Sequence, residues 1–445
     1  MFSVNGECMK IGVISLGCAK NLVDTEYLLG LLAQSNQQIT TSYDEAEAII
    51  INTCGFIESA KVEAIETILN TNDLREKNLK KLIVMGCLAQ RYKPQLEEEM
   101  PEVDRFIAID EYHDLGHILS EALGVPVAND YGKTPRILSG KPWLAYIRIA
   151  DGCDNKCSYC AIPNIRGPLK SVAEDEIIAE ARRLVKSGVK ELNLIAQDSS
   201  RYGYDIDGAL HLSSLLKKLD AIEGVCWIRV LYLYPDEIPD DLIDTIKTSR
   251  HILPYFDIPV QHGSDAILQA MHRRGSRKLI LERAAKIREE LPQAVLRTTL
   301  ITGFPHETLK NHEDNLSMIR AVKWDHLGVF TYSKEEDTPA FVMEDDVDPE
   351  EKERRKAEIM AVQEEISKEL LMRRIGSTEE VLVERKDPLS GMYIGRSAMF
   401  APDNVDGCVR FRSGLAHEPG EIVSVRYTRV SGQNLIGEHA GKEEP

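Results

Sequence analysis

The sequence has no run of about 18 apolar residues, which excludes a membrane-spanning helix of ordinary length. The short segment before KIGVISL also lacks the apolar core and small-residue cleavage site of a signal peptide. The expected compartment is therefore the cytoplasm. Thiols stay reduced there, so the nine cysteines are expected to serve metal or redox chemistry rather than disulfides. Positive charge is outweighed by negative, 54 Lys plus Arg against 72 Asp plus Glu. A net charge of -18 matches a phosphate backbone poorly and a basic partner better. Low-complexity segments and convincing repeats are missing too. What remains is a chain of 445 residues, enough for roughly three domains.

Three regions differ in pattern. From Lys10 to about Leu123, apolar runs alternate with helical stretches, the mark of a parallel sheet with crossover helices. Three of these runs, IGVISLGC, AIIINTC and LIVMGC, end in Cys18, Cys54 and Cys87, which are 36 and 33 residues apart. Such spacing suits successive strand-helix units and puts each thiol at the same, carboxyl end of the sheet, where such sheets bind ligands. Each thiol also precedes a helix, whose positive end favours thiolate. Any one cysteine could pack as a small hydrophobe. Three in register point to a joint ligand role.

The first domain is expected over 9–126, followed by a linker over 127–142 rich in Gly, Pro and polar residues. LAYIRI, ELNLIAQ, WIRVLYLY, YFDIPV, VLRTTLITG and HLGVFTY then read as six buried strands alternating with helices, hence a partial (β/α)6 barrel over 143–375. Its last segment, from Pro349, reads as one long charged helix with Ile359, Val362, Ile366 and Leu370 facing inward. Short alternating strands separated by turns predict a small antiparallel β barrel over 376–443.

The stretch DGCDNKCSYC places Cys153, Cys157 and Cys160 in one loop after strand LAYIRI and supplies no fourth ligand. A structural zinc site needs four, and no His or Cys lies nearby to complete it. Iron-sulfur clusters take about one thiolate per iron, so three cysteines on a four-iron cluster leave one iron open to a substrate or cofactor.

CDNKCSYC, with an aromatic before its last cysteine and the flank IPNIRGPLKS, resembles the radical S-adenosylmethionine enzymes. That resemblance implies a 4Fe-4S cluster on Cys153, Cys157 and Cys160, chelated by S-adenosylmethionine, which is cleaved to a 5'-deoxyadenosyl radical. Three further N-terminal cysteines and a terminal barrel of the TRAM type make nearly the whole chain similar to the methylthiotransferases, which replace C-H by C-S-CH3. In that family the residues matching Cys18, Cys54 and Cys87 carry a second 4Fe-4S cluster that supplies or relays sulfur. Both clusters must then lie near one substrate carbon, with the N-terminal sheet over the barrel mouth.

SLGCAKNLVDTE, LIAQDSSRYG, DIPVQHGSDAIL and GVFTYSKEEDTPA resemble the branch that modifies C3 of an aspartate in small-subunit ribosomal protein S-twelve. Residues 375–445 hold eight Lys plus Arg against eleven Asp plus Glu, and an acidic terminal barrel suits a basic protein better than tRNA. The expected partners are S-twelve, free or on the small ribosomal subunit, and an electron donor such as flavodoxin or ferredoxin, with no membrane. Two other readings are methylthiolation of a tRNA adenosine at C2 and a non-catalytic iron-sulfur protein that docks on ribosomes. The resemblance places Tyr159, Gln197, Asp198, Asp257, Gln261, Ser264, Arg297 and Gly303 near the cofactor, at ends of barrel strands. His262 is expected to be structural, and Cys8, Cys226 and Cys408 to be bystanders.

Overall fold

The structure is a computed structural model that describes residues 8–133 and 135–441. Residues 1–7, residue 134 of the expected linker and the last two residues of the expected terminal domain, 442–443, lie outside the described residues. No helix among the described residues is long and apolar enough to cross a membrane.

The first domain is a five-stranded parallel sheet in the order β2-β1-β3-β4-β5. Its strands are β1 (Lys10–Ser15), β2 (Gln38–Thr40), β3 (Ala48–Thr53), β4 (Lys81–Gly86) and β5 (Arg105–Ile107). Helices α1 (Ala19–Gln34), α2 (Glu58–Asn72), α3 (Cys87–Glu99) and α4 (Leu115–Leu123) connect or flank them. Every residue of β3 is buried, because helices cover both faces of a parallel sheet. Cys18 caps α1, Cys54 follows β3 directly and Cys87 opens α3 immediately after β4, so the three cysteines share one sheet edge.

The central domain begins with β6 (Leu144–Arg148). A two-stranded ladder, β7 (Ala150–Asp151) with β8 (Lys170–Ser171), brackets the second cysteine loop and the short helix α5 (Ile162–Arg166). There follow α6 (Glu174–Lys186), β9 (Glu191–Ile195), α7 (Tyr204–Asp207), α8 (Leu212–Asp220), β10 (Trp227–Val230), α9 (Asp240–Thr248) and β11 (Ile252–Asp257). Then come α10 (Asp265–Ala270), α11 (Arg277–Glu290), β12 (Val295–Thr302), α12 (Leu309–Val322), β13 (His326–Thr331) and the long α13 (Pro349–Met372). The six main strands are parallel and pair in the order β13-β12-β11-β10-β9-β6, an open barrel of six βα units. Ile359 and Ile366 of α13 are buried in its outer core, with Val362 and Leu370 packed at the edge, as the periodicity predicts.

The terminal domain is a closed barrel, β14 (Thr378–Lys386), β15 (Tyr393–Arg396), β16 (Val409–Arg412), β18 (Asn434–His439) and β17 (Ile422–Ser431) in ring order. It is not wholly antiparallel. The hairpin β17-β18 brings β18 beside β16 in the same direction, so that one pair is parallel.

This barrel plugs the open interior of the central one. Tyr146, Trp227 and Tyr255 from inside the central strands share a core with Val381, Phe400 and Tyr427. Charge is buried across the same seam. Glu191 of β9 accepts from Arg229 at 3.1 Å and from Arg396 of β15 at 2.7 Å, and all three side chains are fully buried. The two guanidiniums hold the Glu191 carboxyl below the usual range despite the opposing effect of burial. Glu191→Ala leaves both without this counter-charge, a loss of about 3–5 kcal/mol. Thermal unfolding followed by limited proteolysis should show the terminal barrel released first; an unchanged transition would mean that the apolar core alone holds it.

Candidate functional site

The loop carrying Cys153, Cys157 and Cys160 is fixed from both sides. The Cys153 amide donates to Gly167 O (3.0 Å), the Ser158 amide to Met271 O (3.0 Å), and the Ala340 amide to Ser158 O (2.7 Å). Cys153 and Cys157 are buried and Cys160 half-buried. Burial pushes the Cys153 thiol up to about 11 and the Cys160 thiol up to about 12, so both are protonated until a metal displaces the proton. Arg273 opposes this at Cys160. Its guanidinium stacks 3.9 Å from the Tyr234 ring and lies 3.8 Å from Cys157 Sγ, while Tyr234 OH is 3.4 Å from the same sulfur. A pocket of about 240 Å³ opens beside Cys157, lined also by Asn155, Lys156, Arg201 and Arg274.

The N-terminal cysteines gather around Asn21 at the start of α1. Its Oδ1 lies 4.0 Å from Cys18 Sγ and 3.6 Å from Cys87 Sγ, and its Nδ2 donates to Leu16 O and Thr53 O. Glycine makes this approach possible. A Cβ on Gly17, where φ is +89°, would lie 2.7 Å from Cys54 Cβ, and one on Gly86, where φ is +104°, would lie 2.4 Å from Asn52 Oδ1. Burial pushes the Cys87 thiol up to about 12 and raises Cys54 as well.

Both triads have the chemistry of an iron-sulfur donor set: free thiols, all but the exposed Cys18 buried or half-buried, and one arginine each. No three His, Cys, Asp or Glu side chains among the described residues are arranged to hold a single metal ion. One zinc ion draws its sulfurs to about 2.3 Å from a common centre, whereas a cluster spreads its thiolates over several irons.

Arg166, at the end of α5, ties the N-terminal triad to the central domain. Its Nη2 donates to Asn21 Oδ1 at 2.9 Å and lies 3.8 Å from Cys87 Sγ. The same guanidinium pairs with Asp24 of α1 at 2.9 Å and with Asp151 at 3.1 Å, and Arg148 contacts both of those carboxylates. Burial works against a charged Asp151, but Arg148 and Arg166 outweigh it and hold the carboxyl below its usual range. Asp151 in turn accepts from Gln197 at 3.1 Å. A polar chain thus runs from Gln197 through Asp151, Arg166 and Asn21 to Cys18 and Cys87. Lys20, beside Cys18, lies 4.4 Å above the ring of Tyr232, at the end of β10. The cysteine edge of the first sheet therefore lies over the barrel mouth. On the far side, Glu335 secures it through Lys61 (3.3 Å) and Arg91 (3.5 Å).

The residues expected near the cofactor divide into two groups. Tyr159, Gln197 and Asp198 surround the cysteine loop. Asp198 accepts from Asn155 at 2.7 Å, and Asp198 Oδ1, Gln197 Oε1 and Asn155 Oδ1 are buried acceptors with no partner. Gln261 has a left-handed backbone (φ 72°) and extends the sheet by a bridge to Leu300. The others are engaged by protein. Asp257 pairs with Arg297 (2.9 Å), which also reaches Asp406 of the terminal domain (3.1 Å). Ser264 caps α10 and accepts from Asn311 (2.9 Å), while Gly303 lies against Lys352. His262 is fully buried and accepts from the Ser264 amide (3.0 Å), a structural role. Cys8, Cys226 and Cys408 join neither triad.

Sequence reasoning named neither Asn21 and Asp24 nor Arg166, although AKNLVDTE and IPNIRGP contain them. Arg273 and Tyr234 were also missed. Polar residues that act across domains leave no local periodicity to find.

Comparison with known proteins accounts for all three domains. Residues 10–108 match the uncharacterized protein family UPF0004, residues 147–319 the radical SAM superfamily and residues 375–439 the TRAM domain. A protein of Alkaliphilus oremlandii named ribosomal protein uS12 methylthiotransferase RimO is 43% identical over 435 residues, spanning 97% of this chain and 99% of that protein. Proteins of the same name from Clostridioides difficile (43% over 439 residues, 97% of this chain and 98% of that protein) and Geobacter sulfurreducens (44% over 440 residues, 96% and 98%) are equally similar. Among solved structures, the radical S-adenosylmethionine methyltransferase TsrM of Kitasatospora setae, with cobalamin and a [4Fe-4S] cluster bound, has a TM-score of 0.55 at 12% identity. It covers 75% of this chain and 77% of that one, and shares the fold.

Proposed function

The chain belongs to the family of ribosomal protein uS12 methylthiotransferases, and from that membership we propose that it inserts sulfur and a methyl group at C3 of an aspartate in uS12 by a radical mechanism. The observation that carries this reading is the meeting of two cysteine triads at one barrel mouth in a chain similar to those relatives over its whole length. We assign Cys153, Cys157 and Cys160 to the 4Fe-4S cluster that takes S-adenosylmethionine, and Cys18, Cys54 and Cys87 to a second. When bound, these groups supply the 5'-deoxyadenosyl radical, the sulfur and the methyl group.

The chain's own residues position and shield this chemistry. Gln197, Asp198 and Asn155 present unpartnered acceptors suited to the ammonium of S-adenosylmethionine, and Tyr159 walls the cysteine loop. Arg166 and Arg273 place cations against the thiolates. The first domain covers the mouth and keeps bulk water from a carbon radical, which has to meet sulfur before it is quenched. Flavodoxin or ferredoxin is the proposed reductant and the cytoplasm the proposed compartment.

Mass spectrometry of uS12 and of tRNA nucleosides from a deletion strain tests the substrate. Loss of the aspartate modification, with tRNA unchanged, is the expected result; the converse would move the chain to tRNA adenosine. Release of 5'-deoxyadenosine by the reduced, reconstituted protein separates an enzyme from a binding module.

Asp198 adds a pH dependence. Burial, then the charge of Glu237, pushes its carboxyl up to about 6. As pH falls through that value the carboxylate is protonated and no longer attracts an ammonium. KM for S-adenosylmethionine in 5'-deoxyadenosine formation should therefore rise about tenfold between pH 7 and pH 5. Asp198→Asn should flatten the profile at the higher KM; a flat wild-type profile would remove Asp198 from the cofactor site.

A further inference from the structure

The barrel mouth holds one charge that the fold leaves uncommitted. Arg148 and Arg166 share the carboxylates of Asp24 and Asp151, and Arg297 pairs with Asp257 and Asp406. Each of these cations is answered by protein. Lys20 is not. Among the described residues its Nζ has neither a carboxylate within ion-pairing distance nor a hydrogen-bond partner, and its contact is the face of the Tyr232 ring, 4.4 Å from the centroid. Asp151 acts on Lys20 by its charge but is already taken, since it accepts from Arg148, Arg166, Gln197 and the Gly152 amide.

Both halves of this contact are held in place. Lys20 lies in the first turn of α1, two residues after Cys18, and its neighbours Ala19 and Leu22 pack against the core that the central and terminal barrels share. Tyr232 follows β10 with a left-handed backbone, φ 63°, a conformation that bulky side chains rarely adopt. Its amide donates to Asp257 Oδ2 at 3.1 Å and its carbonyl accepts from the Ser199 amide at 2.9 Å, so the strands on either side of β10 hold the strained residue between them. An ammonium resting on a ring face is positioned without being neutralised. It keeps its N–H donors for an incoming acceptor.

We propose that Lys20 is the seat of the substrate's side-chain carboxylate and hence the residue by which the enzyme selects aspartate. The assignment rests on the function proposed above. An ammonium takes a carboxylate at about 2.8 Å, and C3 of an aspartate is bonded directly to the carbon of that carboxylate. Holding the carboxylate at Lys20 therefore keeps the reacting carbon beside Cys18, at the same end of α1. Asparagine has the same shape and no charge, so the seat discriminates by charge rather than by volume. The other task open to this ammonium is to offset the thiolates of the N-terminal triad, as Arg166 does beside Cys87.

Calorimetric titration of the reconstituted, unreduced enzyme tests the seat without turnover. The probes are uS12 and uS12 with its target aspartate replaced by asparagine. The wild type should hold the aspartate form about thirtyfold more tightly, as expected for one partly buried charge pair. Lys20→Gln should cut that preference to less than about threefold by weakening the aspartate form alone, whereas Lys20→Arg should keep most of it. Tyr232→Leu, a change in the other domain, should lower the preference part of the way, because the ammonium loses the ring on which it rests. Iron and sulfide contents of Lys20→Gln should equal those of the wild type. An unchanged preference in Lys20→Gln would overturn the assignment, and a preference that falls only as iron is lost would give the ammonium to the N-terminal cluster as a counter-charge instead. If the wild type modifies no uS12, the proposed function fails and the assignment with it; if it modifies uS12 while Lys20→Gln keeps the preference, the assignment alone fails.

Discussion

Replacing Cys153, Cys157 and Cys160 by Ala is expected to abolish 5'-deoxyadenosine formation and all product, whereas replacing Cys18, Cys54 and Cys87 should abolish the product alone. The two triads belong to different domains, and each has its own arginine, Arg273 beside Cys157 and Arg166 beside Cys87. Neither triad supplies a thiol to the other. Loss of the N-terminal set should therefore roughly halve the bound iron and leave the cofactor site with its ligands. Reductive cleavage continues, but the substrate radical has no sulfur to meet and is quenched. The measurement pairs iron and sulfide analysis of the reconstituted protein with quantitation of 5'-deoxyadenosine and of methylthiolated uS12. Full iron content with continuing product in the N-terminal triple variant would return those cysteines to ordinary core packing.

Most of the fold is legible from local pattern. The run AIIINT of β3, apolar almost throughout, announces a strand covered on both faces, and the six alternations from Leu144 to Thr331 announce the open barrel. Cysteines at the carboxyl ends of β1, β3 and β4 follow from the same regularity. The parallel pair β16-β18 was not legible, because a strand's residues are the same whichever way its neighbour runs. Nor was the division of charge over the terminal barrel. A net count adds Arg396, buried against Glu191 and Glu384, to Arg410, which is exposed, and the register that separates them is tertiary. The candidate site shows the same limit. Its thiols carry a spacing, while Asn21, Asp24 and Arg166 acquire meaning only when α1 meets α5.

Arg166→Gln is expected to uncouple the reaction, consuming S-adenosylmethionine at least tenfold in excess of the product formed. The wild-type guanidinium is buried and forks between Asp24, Asp151 and Asn21, with Cys87 Sγ 3.8 Å away. Asp24 is itself fully buried, and without Arg166 it keeps, among the described residues, only Arg148 and Tyr131 as partners. Breaking such a network costs about 3 kcal/mol. That cost falls on the seam that holds the first domain over the barrel mouth, so the first domain should shift or open while each domain keeps its own core. Proteolysis within the linker, residues 127–142, should then quicken at temperatures where the wild type resists. The ammonium of Arg166→Lys restores the charge but not the planar fork that reaches two carboxylates at once, so rescue should be partial. A double-mutant cycle with Asp24→Asn separates seating from simple destabilisation. If the arginine acts by joining the domains, the two losses in coupling should be far from additive, because either change breaks the same bridge. Additive losses, or an unchanged ratio of 5'-deoxyadenosine to product in Arg166→Gln, would show that the seam does not set the meeting of radical and sulfur, and Glu335 with its partners Lys61 and Arg91 would then be the contact that does.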